Sequence, residues 1–165
     1  MIDRFEREYA FLSNFSPSSF TDECGDSYPT VEHYFQAQKA TNMFDFEEIR
    51  MAKTPGLAKK LGRQIEIAPD WESVKEQVML DGLRYKFASP ELRDKLLATG
   101  VQYLEEGNFW HDNTWGNCQC PRCKDIMGKN MLGQLLMQVR EEIKNNILGV
   151  DKNGYILYIR YSWKY

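Results

Sequence analysis

Helix starts and stops punctuate this chain more regularly than any other signal. Thr30 follows Pro29 and precedes Val31, Thr54-Pro55 is answered by Gly62, and Ser89-Pro90 by Gly100. Asp70 and Asn130 each stand just before an apolar run with helical spacing. Short oxygen-bearing side chains at an N-cap accept from otherwise unpaired amides, proline fits the first turn, and glycine ends a helix cheaply. The pattern predicts helices from Val31 to about Met43, over Phe46–Ala52, from Pro55 to Gly62, from Trp71 through Phe87, between Ser89 and Gly100, and from Asn130 onward. Trp71, Val74, Val78 and Tyr85 mark the buried face of the long one. Leu132, Leu135, Leu136, Val139 and Ile143 mark that of the last, and such a stripe reads as core packing.

The two ends read differently. The first thirty residues look like short strands and loops, with turn chemistry at Ser13-Asn14-Phe15-Ser16-Pro17-Ser18-Ser19. From Gly149 to Tyr165 the chain reads as a hairpin, with Asn153-Gly154 as the turn between strand formers. The expected class is α+β: a helix-rich single domain, 1–165, with a small antiparallel sheet from the N-terminal region and the C-terminal hairpin. A chain of 165 residues with 13% aromatics can bury a core without a staple, which excludes disorder. No apolar stretch nears the ~20 residues of a membrane span. Met1 to Glu8 is charged and lacks a signal peptide's apolar run, so the expectation is a cytoplasmic protein with no membrane partner.

With 21 basic and 24 acidic residues, the charge of −3 argues against a general coat for nucleic acid. It leaves room for a basic pocket holding one phosphorylated ligand. Cys118, Cys120 and Cys123 fall within six residues. One reading is a structural zinc with Cys24 or His111 as fourth ligand; the other is a polar loop of reduced thiols.

Three segments hold candidate chemistry. If the first helix continues through Lys39, then Glu32 and Lys39 lie about 20° apart around it and roughly 10 Å along it. Gln36 falls between them, and one ligand could touch both ends of that face. His33 reads as a capping or core hydrogen-bonding residue. In the loop His111-Asp112-Asn113-Thr114-Trp115-Gly116, a carboxylate among aromatics can gain a useful pKa in a partly dry setting. In Gly128-Lys129-Asn130-Met131-Leu132-Gly133, free amides at a helix start can attract an anion. Each has a plain alternative: an exposed polar stripe, an ordinary Asp turn, a routine Asn cap.

Taken in order, the segments say more. Leu12-Ser13-Asn14-Phe15, Tyr28-Pro29-Thr30-Val31-Glu32-His33-Tyr34-Phe35-Gln36-Ala37-Gln38-Lys39, Leu61-Gly62-Arg63 and the run from Trp71 to Met79 come first. Lys86-Phe87, the run from Leu96 to Gly100, Asp112 with Trp115-Gly116, and the segment from Gly128 to Gly133 follow. The series closely resembles the NADAR family, also called YbiA-like, from about Phe5 to Ile143. That resemblance implies an N-glycosidase cleaving a ribosyl C–N bond, with no cofactor required for catalysis. The implied substrates are ADP-ribose on guanine in DNA, RNA or a nucleotide, or phosphoribosylated intermediates of riboflavin synthesis. It implies Glu32, Lys39 and Asp112 as catalytic residues, Lys39 forming a Schiff base with the ribose. Ser13, Asn14, Phe15, Tyr34, Gln36, Arg63, Trp71, Trp115, Gly116, Gly128, Asn130 and Gly133 are the expected substrate contacts. The cysteine loop and the hairpin depart from the family pattern. A non-catalytic ADP-ribose-binding module and a zinc-stabilised interaction domain are the readings from other classes.

Overall fold

The computed structural model describes residues 1–145 and, as backbone, 148–150 and 156–158. Among the described residues six helices follow the punctuation closely: α1 Val31–Ala37, α2 Met43–Arg50, α3 Pro55–Leu61, α4 Trp71–Phe87, α5 Pro90–Ala98 and α6 Met131–Lys144. Thr30, Asn42 and Thr54 accept at their side chains from the amides of His33, Asp45 and Leu57. Asp70 precedes α4 without a side-chain cap; its carbonyl accepts from the Ser73 hydroxyl instead.

The first helix is shorter than expected. It stops at Ala37, and Lys39 and Ala40 donate to Gln36 and Ala37 in a tight turn. The Lys39 carbonyl then accepts from the Ala68 amide, and Ala40 bridges Ile67. Asn42 caps α2, which starts earlier than the expected Phe46, so the chain restarts there rather than running on to Met43. Lys39 therefore stands in a turn, and the straight-helix geometry with Glu32 does not apply.

Near the N-terminus a 3-10 helix, Arg7–Leu12, replaces part of the expected strand and loop. Among the described residues no strand pairs with it, and the turn satisfies its own amides, Tyr9 to Glu6 and Ser13 to Ala10. Among the described residues the β-structure consists of separate two-stranded pieces. β1 Phe20–Thr21 pairs antiparallel with β2 Ser27–Tyr28, and β3 Gly107–Asn108 pairs in parallel with β4 Asn117–Cys118. β5 Leu148–Val150 pairs antiparallel with β6 Ile156–Tyr158, Leu148 opposite Tyr158. The Asn153-Gly154 turn and the end of the expected hairpin lie outside the described residues. The helix-rich α+β class stands, its antiparallel ribbons unjoined and a parallel pair added.

The main core gathers Leu83 and Phe87 of α4, Leu132, Leu136 and Val139 of α6, and Val31 and Phe35 of α1. Leu132 and Leu136 are fully buried, so truncating either to alanine is worth about 2–5 kcal/mol. A second cluster of Tyr28, Tyr34, Ala37, Ile49 and Ala58 fastens α1 to α2 and α3. His33 ties the same elements: Nε2 donates to the Ala52 carbonyl at 3.0 Å and Nδ1 pairs with the Thr30 hydroxyl at 2.8 Å. This is the structural role read from the sequence. No helix among the described residues is long and apolar enough to cross a membrane.

Candidate functional site

Glu32 is the centre of the candidate site. It lies in the first turn of α1, 6% exposed, and its amide donates to the Asn14 carbonyl. Gln36, one turn on, donates through Nε2 to Glu32 Oε1 at 2.7 Å. Burial pushes the Glu32 carboxyl up; Gln36 and the cations Lys59, Lys39 and Arg63 hold it back. Burial pulls the Lys39 amine down, and Glu32 opposes that. The Lys39 Nζ stands 5.5 Å from the Phe35 ring centroid and 5.6 Å from that of Trp71. Phe35 meets Trp71 and Trp115 edge-on, with centroids 4.9 and 5.2 Å apart. The turn after α1 thus brings an amine whose pKa burial lowers to an aromatic wall beside the buried Glu32.

Two further carboxyl groups, Asp112 and Glu106, come from the segment that leads to Trp115. Asp112 Oδ1 accepts from the amides of Thr114 and Trp115 at 3.0 and 2.9 Å, which fixes the loop. Glu106 interacts electrostatically with Asp112, Glu32, Lys59 and Lys86. Burial first, then the charges of Asp112 and Glu32, push its carboxyl up to about 8, against the pull of Lys59 and Lys86. At neutral pH Glu106 therefore carries a proton, and burial pulls the nearby Lys86 amine down to about 7. A carboxyl group that titrates near neutral pH suits acid–base work.

The expected substrate contacts divide into two sets. Ser13, Asn14, Phe15, Gln36, Arg63, Trp71 and Trp115 gather around Glu32 and Lys39. The Ser13 carbonyl accepts from the buried Lys86 at 2.8 Å, and Ser13 Oγ accepts from the Phe15 amide. Lys59 Nζ stands 5.7 Å from the centroid of the exposed Phe15 ring. Asn14 Oδ1 and Gln36 Oε1 are buried acceptors without a donor among the described residues. A ligand hydroxyl would satisfy such an atom.

The remaining five expected contacts have architectural places. Tyr34 packs edge-on against Tyr28 at 5.1 Å and Tyr85 at 5.8 Å, in the second cluster. Asn130, left-handed at φ 49°, donates to the Leu104 carbonyl and accepts from the Glu106 amide. A Cβ on Gly133 would meet the Leu104 carbonyl oxygen at 2.1 Å, and one on Gly128 the Gly116 carbonyl oxygen at 2.5 Å. The amides of Lys129, Asn130, Met131 and Leu132 donate to the carbonyls of Asn113, Gly116, Thr114 and Trp115. The expected anion site is thus corrected: its donors are spent on the loop that carries Asp112. Gly116 serves that packing too, since a Cβ there would lie 2.4 Å from the Glu106 carbonyl oxygen.

Sequence reasoning missed Glu106, Lys86 and Lys59. Lys59 had a signal, because it lies four residues before Arg63 at the end of a capped helix. Lys86 stood in the Lys86-Phe87 segment of the resemblance with no role assigned to it, and Glu106 had no signal, its partners being distant in the chain. Of the two candidate fourth ligands, His111 joins Cys118, Cys120 and Cys123, with all four ligand atoms within 4.8 Å of one another. Cys24 is exposed beside β1–β2 and takes no part.

Comparison with known proteins establishes the family. The NADAR domain model matches residues 2–144, and the chain belongs to the NADAR family. The N-glycosidase YbiA of Escherichia coli (strain K12) is 41% identical over 143 residues, 82% of each chain. The NMR structure of E. coli YbiA superposes with a TM-score of 0.75 at 39% identity, covering 88% of each chain. A riboflavin biosynthesis protein of Zea mays, the chloroplastic PYRR, is 37% identical over 156 residues, 84% of this chain and 24% of that longer one.

Proposed function

We propose that the chain is an N-glycosidase that hydrolyses a ribosyl C–N bond, using Lys39 as nucleophile, and that its substrate is ADP-ribose linked to guanine. The observation that carries this reading is the amine of Lys39, drawn down by burial beside Glu32 and the aromatic wall. The amine attacks C1 of the ribose as the C–N bond breaks, and the departing base takes a proton. Glu106, protonated at neutral pH, suits that donation, and the Glu32 carboxylate stabilises the positive charge that grows on the sugar. Opening of the ribose ring leaves an imine between Lys39 and C1. Water adds to the imine, frees the sugar and returns the amine, so the sum is hydrolysis. Asp112 holds the far wall through its amide contacts. Lys59 and Arg63 supply the positive rim a phosphorylated ligand needs, and Phe15 or Trp115 offers a face to a base.

A second substrate class rests on a specific observation: two relatives are named riboflavin biosynthesis proteins, from Zea mays and from Vibrio vulnificus (strain YJ016), at 37% and 34% identity. A phosphoribosylated pyrimidine presents the same C–N bond and a phosphate. Parallel incubation with guanine-linked ADP-ribose on DNA, RNA and nucleotide, and with phosphoribosylated aminopyrimidines, decides between them by the base released. Release from the guanine conjugates supports the first reading, and release from the pyrimidines alone replaces it with the second. Binding of ADP-ribose with no release from either class overturns the enzyme reading in favour of a binding module.

A further inference from the structure

We propose that His111, Cys118, Cys120 and Cys123 hold a structural zinc ion that pins the loop beneath the carboxylates. The three thiols are buried at 3%, 6% and 6% exposure, yet they form a cluster apart from both apolar cores. Three thiols packed only on each other give a loop little hydrophobic stabilisation, whereas one tetrahedral ion would organise the whole turn. The spacing agrees. His111 Nδ1 lies 3.3 Å from Cys120 Sγ and 3.4 Å from Cys123 Sγ. A zinc tetrahedron with arms of about 2.3 Å to sulfur and 2.0 Å to nitrogen has N···S edges of roughly 3.5 Å.

The backbone is shaped for the same end. His111 takes a left-handed conformation, φ 68°, uncommon for a residue with a Cβ and here aiming its ring at the sulfurs. The Cys118 amide donates to Asn113 Oδ1, and the Cys123 amide closes a turn onto the Cys120 carbonyl. Mixed nitrogen and sulfur donors in a closed tetrahedral set select zinc among common divalent ions. Four protein ligands leave no open position for water, so the ion is structural.

What it would brace is the candidate site. His111 precedes Asp112, whose carbonyl accepts from Asn108 Nδ2 at 2.7 Å. β3 and β4 join Asn108 to Cys118, and Glu106 lies just before β3. One ion therefore ties together the two segments that carry the Glu106 and Asp112 carboxylates.

The test uses the full, untagged chain. Metal analysis should find close to one zinc per chain. Cobalt exchanged into that position should give the intense visible absorption of a tetrahedral ion with thiolate charge transfer. Chelation should lower the melting temperature and open three thiols to a disulfide reagent, and added zinc should reverse both. The outer partners of metal ligands are already worth roughly 10–100-fold in affinity. His111→Ala should therefore weaken zinc binding by at least about tenfold and alter the cobalt spectrum. Cys24→Ser should change neither. A folded protein that takes up neither zinc nor cobalt, or that holds two of the three thiols as a disulfide after aerobic purification, overturns the proposal. An unaltered cobalt spectrum in His111→Ala removes that ligand from it. Cys120→Ser adds a second arm, and if it fails to fold the cobalt spectrum of the parent chain still decides.

Discussion

Gln36 can reach Glu32 because residue 62 has no side chain. A Cβ on Gly62 would lie 2.1 Å from Gln36 Oε1 and 3.2 Å from its Cβ, so the glutamine keeps its bond to Glu32 only beside a bare backbone. Gly62→Ala should force Gln36 off the carboxylate. Without that donor the Glu32 pKa should climb further, because Gln36 is the largest influence holding it down. The expected result is an acid limb of kcat/KM moved to higher pH, with a modest loss of melting temperature. An unchanged pH profile with a large loss of stability would mean that the glycine matters to packing alone.

The Lys39 and Glu32 pair has separable signatures. Borohydride added during turnover should trap the imine as a stable adduct visible by intact mass. Lys39→Ala should abolish both adduct and turnover. Glu32→Gln keeps the volume and should slow turnover by roughly 10²-fold or more while ADP-ribose binding changes little. An unmodified chain during active turnover would remove the amine from the mechanism.

Glu106 predicts a pH dependence whose sign is fixed. Its carboxyl, ordinarily near 4.5, is pushed up to about 8, so between those values the folded chain holds a proton that the unfolded chain has lost. Its contribution to stability is complete below about 4.5 and is lost as pH rises through about 8. Lys86, pulled down by burial to about 7, acts oppositely: its penalty eases as pH climbs above 7. Glu106→Gln should therefore melt progressively higher than the parent chain as pH rises toward 8. Each kcal/mol is worth roughly 2–4 °C in a chain of this size. Parallel melting curves at pH 5 and pH 8.5 would refute it. Activity should fall in the variant at neutral pH, where the donated proton is missing.

Gly128→Ala should cost fold rather than binding. The added methyl would meet the Asn117 Cα and the Gly116 carbonyl at 2.5 Å, neither of which can swing aside. A melting temperature lowered by several degrees, with unchanged affinity in whatever remains folded, is the expected pair of results. Lost affinity at full stability would restore the anion-site reading.

What could be read from the sequence was local. Thr30, Thr54 and the Pro55–Gly62 pair act within a few residues of themselves, so their helices were legible. The Lys39 turn was not, because it depends on the Ala68 amide and the bridge to Ile67, which belong to another part of the chain. Glu32, Lys39 and Asp112 were reached by family resemblance; their spacing alone left them ordinary. Glu106 escaped because a glutamate before a glycine carries no mark, and its raised pKa comes from burial in the fold and from carboxyl groups as remote in the chain as Glu32. Asn130 misled for a related reason. A cap residue before an amphipathic helix normally leaves free amides, but here the carbonyls of 113–116 take them.

Those four consecutive bonds, from the amides of Lys129 to Leu132 onto the loop that follows Asp112, make loop and helix start a single mechanical piece. Lifting the loop to admit a bulky ligand would break all four, at about 0.5–1.5 kcal/mol each. A bulky ligand would meet less resistance at the exposed Phe15 and Arg63 than at this loop. The amides at the start of α6 can exchange with solvent only when the Asp112 loop rises, so their deuterium uptake is a clock for the site's own opening.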